Sequence, residues 1–134
     1  NLDLLFIDYI QLMRPGGRFE NRNQEMAFIS RSLKELAKEI KIPVVGISQL
    51  TELQKKADGN QDLNSLTERA IEQDADVVIF IYRPEVYHPK DESIKGEAEI
   101  NVAKQRNGPT GLVKLAFLNK FARFEDLAFQ YSET

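Results

Sequence analysis

The chain has 134 residues, 42% of them hydrophobic, a formal net charge of −3 and no cysteine. That length suits one domain with a sizeable core, and the lack of cysteine excludes disulfides and thiolate metal sites, as expected in a reducing cytosol. The acidic balance argues against nucleic-acid binding by bulk electrostatics and leaves it to local basic loops; with no apolar run near the roughly 20 residues of a membrane span and no leader segment, a soluble, cytoplasmic protein is expected.

Leu4-Leu5-Phe6-Ile7 followed by Asp8 reads as a strand buried on both faces, as in a parallel sheet. Asp8 then lies at its C-terminal edge, where a carboxylate either aims at magnesium on nucleotide phosphates or simply ends a core strand. The segment Arg14-Pro15-Gly16-Gly17-Arg18-Phe19-Glu20-Asn21-Arg22 breaks regular structure and carries three arginines, which predicts a positively charged loop. From Gln24 to Lys41 the apolar Met26, Ile29, Leu33, Leu36 and Ile40 recur at steps of three and four, the pattern of an amphipathic helix. Ile42 to Leu50 reads as a second buried strand with Ser48 and Gln49 as its polar tip. Strand, helix, strand at these lengths is a βαβ unit with a right-handed crossover, so Asp8 and Gln49 should meet at one carboxyl edge. A strand-end cap is the other reading of Gln49.

Thr51 to Ser65, with Lys55 and Lys56, predicts a polar loop of a length that is usually functional within a compact domain. A short helix over Leu66 to Gln73 leads to a third buried strand, Val77 to Tyr82, ended by Arg83-Pro84. Glu85 to Lys95 reads as a surface excursion, and the lone His88 within it is given no role. From Glu97 the chain alternates, with Ala98, Ile100 and Val102 facing inward, then turns through Lys104 to Gly111 and returns over Leu112 to Leu118. That is a hairpin with a basic tip. Phe121, Phe124 and Leu127 suggest a last short strand, and Gln130 to Thr134 should fray.

No serine, cysteine or histidine is placed as a nucleophile beside a base, which points away from covalent catalysis and toward metal-assisted phosphate chemistry. Lys104 and Arg106, two residues apart on a predicted strand, share a face and can reach one phosphate together. No Gly-x-x-x-x-Gly-Lys-Ser/Thr loop occurs in these residues, so the phosphate cradle is missing.

The segments Ile7-Asp8-Tyr9-Ile10-Gln11-Leu12-Met13, Ser30-Arg31-Ser32-Leu33-Lys34, Ile42-Pro43-Val44-Val45, Ser48-Gln49-Leu50, Ile71-Glu72-Gln73-Asp74-Ala75-Asp76, Phe80-Ile81-Tyr82-Arg83 and Lys104-Gln105-Arg106-Asn107-Gly108 together resemble one family. It is the C-terminal, RecA-like motor domain of bacterial replicative DNA helicases of the DnaB family. The resemblance covers nearly all of residues 1–134 and implies an α/β fold: a RecA-like P-loop NTPase core, its mainly parallel sheet flanked by helices, with a C-terminal antiparallel hairpin. The chain resembles the second half of that domain, from the Walker B strand onward, so it is expected to be a partial domain lacking the P-loop and inactive alone.

The resemblance also implies roles. ATP and Mg2+ are the expected cofactors, with Asp8 as the Walker B ligand of magnesium and Gln49 as the sensor that links the γ-phosphate to the DNA-binding loops. Arg106 would be an arginine finger, with Lys104 beside it, acting on the neighbouring subunit of a homo-hexamer. The loops Arg14 to Arg22 and Thr51 to Arg69 resemble those that hold single-stranded DNA, which makes Arg14, Arg18, Arg22, Lys55, Lys56, Glu68 and Arg69 candidate DNA-binding residues. Ser65-Leu66-Thr67-Glu68-Arg69-Ala70 departs from the family's usual Asp-Leu-Arg-Glu-Ser-Gly. A primase and a helicase loader are the implied protein partners. The alternatives are a RecA-like recombinase or ATPase of another family, which the Lys-x-Arg hairpin disfavours, and a non-catalytic RecA-like module for assembly or loader binding.

Overall fold

The computed structural model describes residues 2–49 and 66–127. These form two compact units, the first made of residues 2–49 with 66–76 and the second of residues 77–127.

In the first unit, β1 (Leu5–Ile7) and β2 (Val44–Gly46) pair in parallel, with Leu5, Phe6 and Ile7 opposite Val44, Val45 and Gly46. Parallel neighbours need a crossover, and α1 (Arg22–Ile40) supplies it. Its start is fixed by the Asn21 cap, whose side chain accepts the Gln24 N–H at 3.0 Å, and by the Gln24 carboxamide, which reaches back past the cap to accept the Glu20 N–H at 3.2 Å. The helix therefore begins at Arg22, ahead of its first apolar position, and Arg22 belongs to the helix rather than to the preceding loop. Lys41 ends it in the left-handed conformation, φ 56°.

Met26 and Ile29 on α1 are 0% and 2% exposed and pack with Ile10, itself 3% exposed. Ile7, Met13, Leu33 and Ile71 surround this core. Ile71 comes from α2 (Leu66–Asp74), which is tied to α1 by the Ser30 hydroxyl, 3.5 Å from the Ala70 carbonyl. A Lys34–Asp76 ion pair lies just past the end of α2.

The expectation of strands buried on both faces is not met within the described residues. Ile7 points into the core, so alternation sends Phe6 to the other face, where it is 61% exposed. β2 is also shorter than the apolar run that predicts it, since regular pairing stops at Gly46.

The second unit is an antiparallel meander in the order β3 (Val77–Tyr82), β4 (Glu97–Gln105), β5 (Gly111–Leu118) and β6 (Arg123–Asp126). The predicted hairpin is its β4–β5 pair, with Ile100 opposite Val113. Ala98 and Phe80 are buried, whereas Ile79 and Ile81, on the other face of β3, are 53% and 55% exposed. Val77–Tyr82 is thus a strand with the expected bounds but with one covered face.

The excursion after β3 contains a one-turn helix, α3 (Pro84–Tyr87), with proline at its first position, and a 3-10 turn over Glu92–Ile94. Tyr87 stacks on Tyr82 at 5.4 Å between ring centroids. Glu85 pairs with Arg83 and accepts the Gly96 N–H at 2.9 Å, fastening this turn to the chain entering β4. The Arg83 guanidinium lies 3.9 Å over the Phe117 ring, which in turn meets Phe124 at 4.9 Å.

Candidate functional site

The edge of the parallel pair is built by backbone first. Past the strands, the Ile47 N–H donates to the Ile7 carbonyl and the Ile10 N–H to the Ile47 carbonyl, both at 2.9 Å. Asp8 and Tyr9, joined by a cis peptide, are looped out between these two bonds. Asp8 is exposed there, at the carboxyl end of β1. The chain then closes into a 3-10 turn over Ile10–Leu12.

Beyond Ile47 the backbone partner of β2 is replaced by one side chain, Gln11. Its Nε2 donates to Ser48 Oγ at 2.8 Å and to the Gln49 carbonyl at 3.0 Å, while its Oε1 accepts the Gln49 N–H at 3.3 Å. A carboxamide carries the same donor and acceptor pair as a peptide, so it can extend a ladder that has run out of strand. The strand tips carrying Asp8 and Gln49 lie at one edge, as the βαβ reading expects, and Gln11 holds the second of them. Gln11 is absent from the residues selected by sequence; its signal there is a single amide inside the apolar run Ile10-Gln11-Leu12-Met13.

The basic loop is rooted on the same residue. The Gln11 carbonyl accepts from Arg14 Nη1 at 3.0 Å and from Arg22 Nη2 at 2.6 Å. Arg14 also donates to the Met13 carbonyl at 3.1 Å, and Arg22 pairs with Glu25. Arg14 nevertheless keeps 68% of its side chain exposed, and a guanidinium has five N–H donors, so further acceptors can be reached. Arg18 is exposed farther along the loop, and Arg69 is exposed on α2. Lys55, Lys56 and the Glu68 side chain lie outside the described residues.

In the second unit, Lys104 is half-buried on β4 and Arg106 is exposed in the turn that follows Gln105. The two do not simply alternate along a strand. Pairing steps from Val78–Lys104 to Ile79–Val102, which leaves Ala103 as a bulge, and a bulge re-aims the residues beside it. The tip is braced by Gln105, whose Nε2 donates to the Pro109 carbonyl at 3.4 Å. Gln105 also crosses Gly108 closely enough that a Cβ there would sit 2.2 Å from its Nε2.

Among the described residues there is no group of three or more His, Cys, Asp or Glu placed to hold a metal. A lone exposed carboxylate such as Asp8 suits Mg2+, which keeps waters and phosphate oxygens in its shell and needs few protein ligands. No helix of the described residues is long and apolar enough to cross a membrane.

Residues 1–126 match the family described as DnaB-like helicase C terminal domain. The chain is 53% identical over 131 residues to the replicative DNA helicase DnaB of Pasteurella multocida, covering 96% of this chain and 28% of that protein. It is 44% identical over 135 residues to that of Geobacillus stearothermophilus, covering 98% of this chain and 30% of that protein. Among solved structures, an ATPase domain superposes with TM-score 0.84 at 36% identity, over 92% of this chain and 44% of that one. A DnaB-like replicative helicase, solved in a study of its interactions with primase, gives TM-score 0.83 at 36% identity, over 92% of this chain and 30% of that one. The chain spans 28–30% of the two curated relatives' length, and its fold is that of RecA-like helicase ATPase domains. With nearly its whole length inside the match, the chain belongs to the DnaB-like helicase C-terminal domain family.

Proposed function

We propose that this chain is the C-terminal part of the motor of an ATP-driven replicative DNA helicase that translocates on single-stranded DNA and unwinds duplex at the fork. The observation that supports this is the parallel pairing of β1 and β2, past whose carboxyl ends Asp8 and Gln49 both lie, the kind of edge at which open parallel sheets bind ligands. In this reading Asp8 holds Mg2+, which when bound neutralises charge on the phosphates of ATP. The Gln49 amide senses the γ-phosphate. Arg106, with Lys104 beside it, reaches the γ-phosphate held by the neighbouring subunit of a homo-hexamer.

Arg14, Arg18 and Arg69, and with them Lys55, Lys56 and Glu68, contact the backbone of single-stranded DNA, largely without regard to base sequence. Arg22, already engaged by Glu25 and the Gln11 carbonyl, contributes at the root of this surface. A primase and a helicase loader are the proposed protein partners, and the cytoplasm the proposed location.

The test is made in the full-length protein. Asp8→Asn is expected to remove magnesium-dependent hydrolysis. Arg106→Ala is expected to lower turnover by roughly a thousandfold or more, as removal of an arginine finger does, while fluorescent-nucleotide affinity stays within about twofold because the lost contact forms only in the transition state. If Asp8→Asn hydrolyses ATP normally, the motor reading fails and a non-catalytic assembly module takes its place. The 134-residue chain alone, carrying no phosphate cradle, should show no turnover.

A further inference from the structure

We propose that Gln11 is a positioning residue that sets the place of Gln49 and ties it to the basic loop, so that hydrolysis responds to bound DNA. The inference rests on the reading of Gln49 and the Arg14–Arg22 loop given above, including the link between them, and it goes beyond that reading in naming Gln11 as the residue that makes the connection.

Two sets of contacts converge on this one residue. On one side its carboxamide uses both Nε2 and Oε1 on Ser48 and Gln49, at 2.8, 3.0 and 3.3 Å. These bonds take up the Gln49 N–H and carbonyl where the β-ladder no longer reaches them. On the other side its backbone carbonyl is the common acceptor of Arg14 and Arg22, at 3.0 and 2.6 Å. Arg22 is held in turn by Glu25, and Arg14 lies 3.9 Å from the same carboxylate.

The turn that carries Gln11 cannot slide independently of the core. Ile10 is 3% exposed and packs against Met26 and Ile29, and its N–H is bonded to the Ile47 carbonyl. What remains adjustable is the polar side of the turn, where guanidinium donors meet a neutral carbonyl. A phosphate oxygen is the stronger acceptor for a guanidinium, because it carries negative charge where the carbonyl is neutral. Phosphates that draw Arg14 or Arg22 away release the Gln11 carbonyl, and the carboxamide at the other end of the residue transmits the change to Gln49. A ligand shifts such an arrangement only through contacts that differ between its two states, and the exchange of carbonyl for phosphate is that difference.

The experiment measures steady-state ATP turnover of the full-length protein with and without single-stranded DNA, for wild type, Gln11→Ala, Gln11→Glu, Gln49→Ala and the Gln11→Ala/Gln49→Ala double variant. Gln11→Glu keeps the length of the side chain and one acceptor for the Gln49 N–H but loses both donated bonds, so it preserves packing if Gln11→Ala does not fold. Both Gln11 variants should lose DNA stimulation, with DNA-stimulated kcat down about 10- to 100-fold, the range that a displaced catalytic group costs. KM for ATP and affinity for single-stranded DNA should stay within about twofold, a split that a general loss of structure would not give. The double variant should be no slower than Gln49→Ala, since the two residues act as one unit.

Wild-type DNA stimulation in Gln11→Glu overturns the inference, as does a parallel fall of kcat, nucleotide affinity and melting temperature in both Gln11 variants. If Gln49→Ala itself turns over normally, the reading of Gln49 as the sensor has failed instead. If Gln49→Ala is impaired while the Gln11 variants are not, that reading stands and only the role of Gln11 is lost.

Discussion

Gly46 shows how one missing Cβ shapes the site. It ends β2 directly beneath the Ile10 turn, and a Cβ built there would come within 2.9 Å of Ile10 Cγ2. Ile10 has little room to give, because it is 3% exposed and wedged against Met26 and Ile29. Gly46→Ala should therefore destabilise the protein by about 1–3 kcal/mol, the usual cost of overpacking a tight interior, measured by urea unfolding followed by circular dichroism. The glycine's φ is not in the left-handed region, so backbone freedom plays no part and the cost is steric. An unchanged unfolding midpoint would show that Ile10 and its turn can shift freely, which would also weaken the case that this turn holds Gln11 in one place. Lys41 and Ala122 are the described non-glycine residues at positive φ, and both sit just past the end of a helical segment.

At the scale of elements, α3 depends on a carboxylate for its attachment to β4. The hydrogen bond from Arg83, then that from the Gly96 N–H, holds the Glu85 carboxyl below its ordinary value. A carboxyl whose pKa is lower folded than unfolded stabilises the fold fully above the unfolded value, and that stabilisation is lost as pH falls through the folded one. Acidification below the ordinary carboxylate range should thus loosen this turn while neutral pH keeps it fastened. The Gly96 amide chemical shift, followed by NMR, should titrate with a midpoint below the ordinary glutamate value, and Glu85→Gln should remove that midpoint. A Gly96 shift that titrates at the ordinary value would mean that the Arg83 contact does not persist in solution.

The same elements show what residues reveal before any coordinates. The steps of three and four in Met26, Ile29, Leu33 and Leu36 place α1 because one helix face must be apolar to reach the core. The alternation of Ala98, Ile100 and Val102 places β4 because its neighbours lie on opposite faces. Patterns of this kind do not encode the residues that break a ladder. Ala103 is an ordinary alternating position until pairing with β3 leaves it as a bulge, and the shared strand face inferred for Lys104 and Arg106 fails because β4 ends at Gln105 and Arg106 lies in the turn. Ile47 to Gln49 read as the continuation of β2 and its polar tip, yet their partners are the Ile7 carbonyl, the Ile10 N–H and a glutamine side chain. The start of α1 was readable in principle, since Asn21 and Gln24 have capping-box spacing, but apolar periodicity alone begins later. The positions of Asp8 and Gln49 past the strand ends were legible because a polar residue after an apolar run is a local pattern; the contacts of Gln11 were not, because its partners Ser48 and Gln49 lie 37 and 38 residues away.

For the whole molecule, the proposed motor turns on whether Asp8 and Arg106 would serve the same nucleotide from one chain or from two. A ring built by head-to-tail contacts gives every subunit the same neighbour relation, so a residue on one face can complete the site of the next subunit. Asp8→Asn leaves Arg106 intact, and Arg106→Ala leaves Asp8 intact, so each full-length variant alone should be inactive. Mixed at equal concentration under conditions that exchange subunits, they should regain hydrolysis. A site then works when its own subunit has Asp8 and the adjoining subunit has Arg106, which random assembly of a head-to-tail ring supplies at roughly one site in four. If both residues act from the same chain, every site in every mixture lacks one of them and no activity returns. Recovery without subunit exchange would point to contamination or residual activity, so the unmixed variants and a mixture held in non-exchanging conditions are the necessary controls. Asp8 at the edge of β1 and Arg106 in the β4–β5 turn are both exposed, each in its own compact unit, so either can meet the surface of a neighbouring subunit. The mixing experiment identifies which chain supplies that surface.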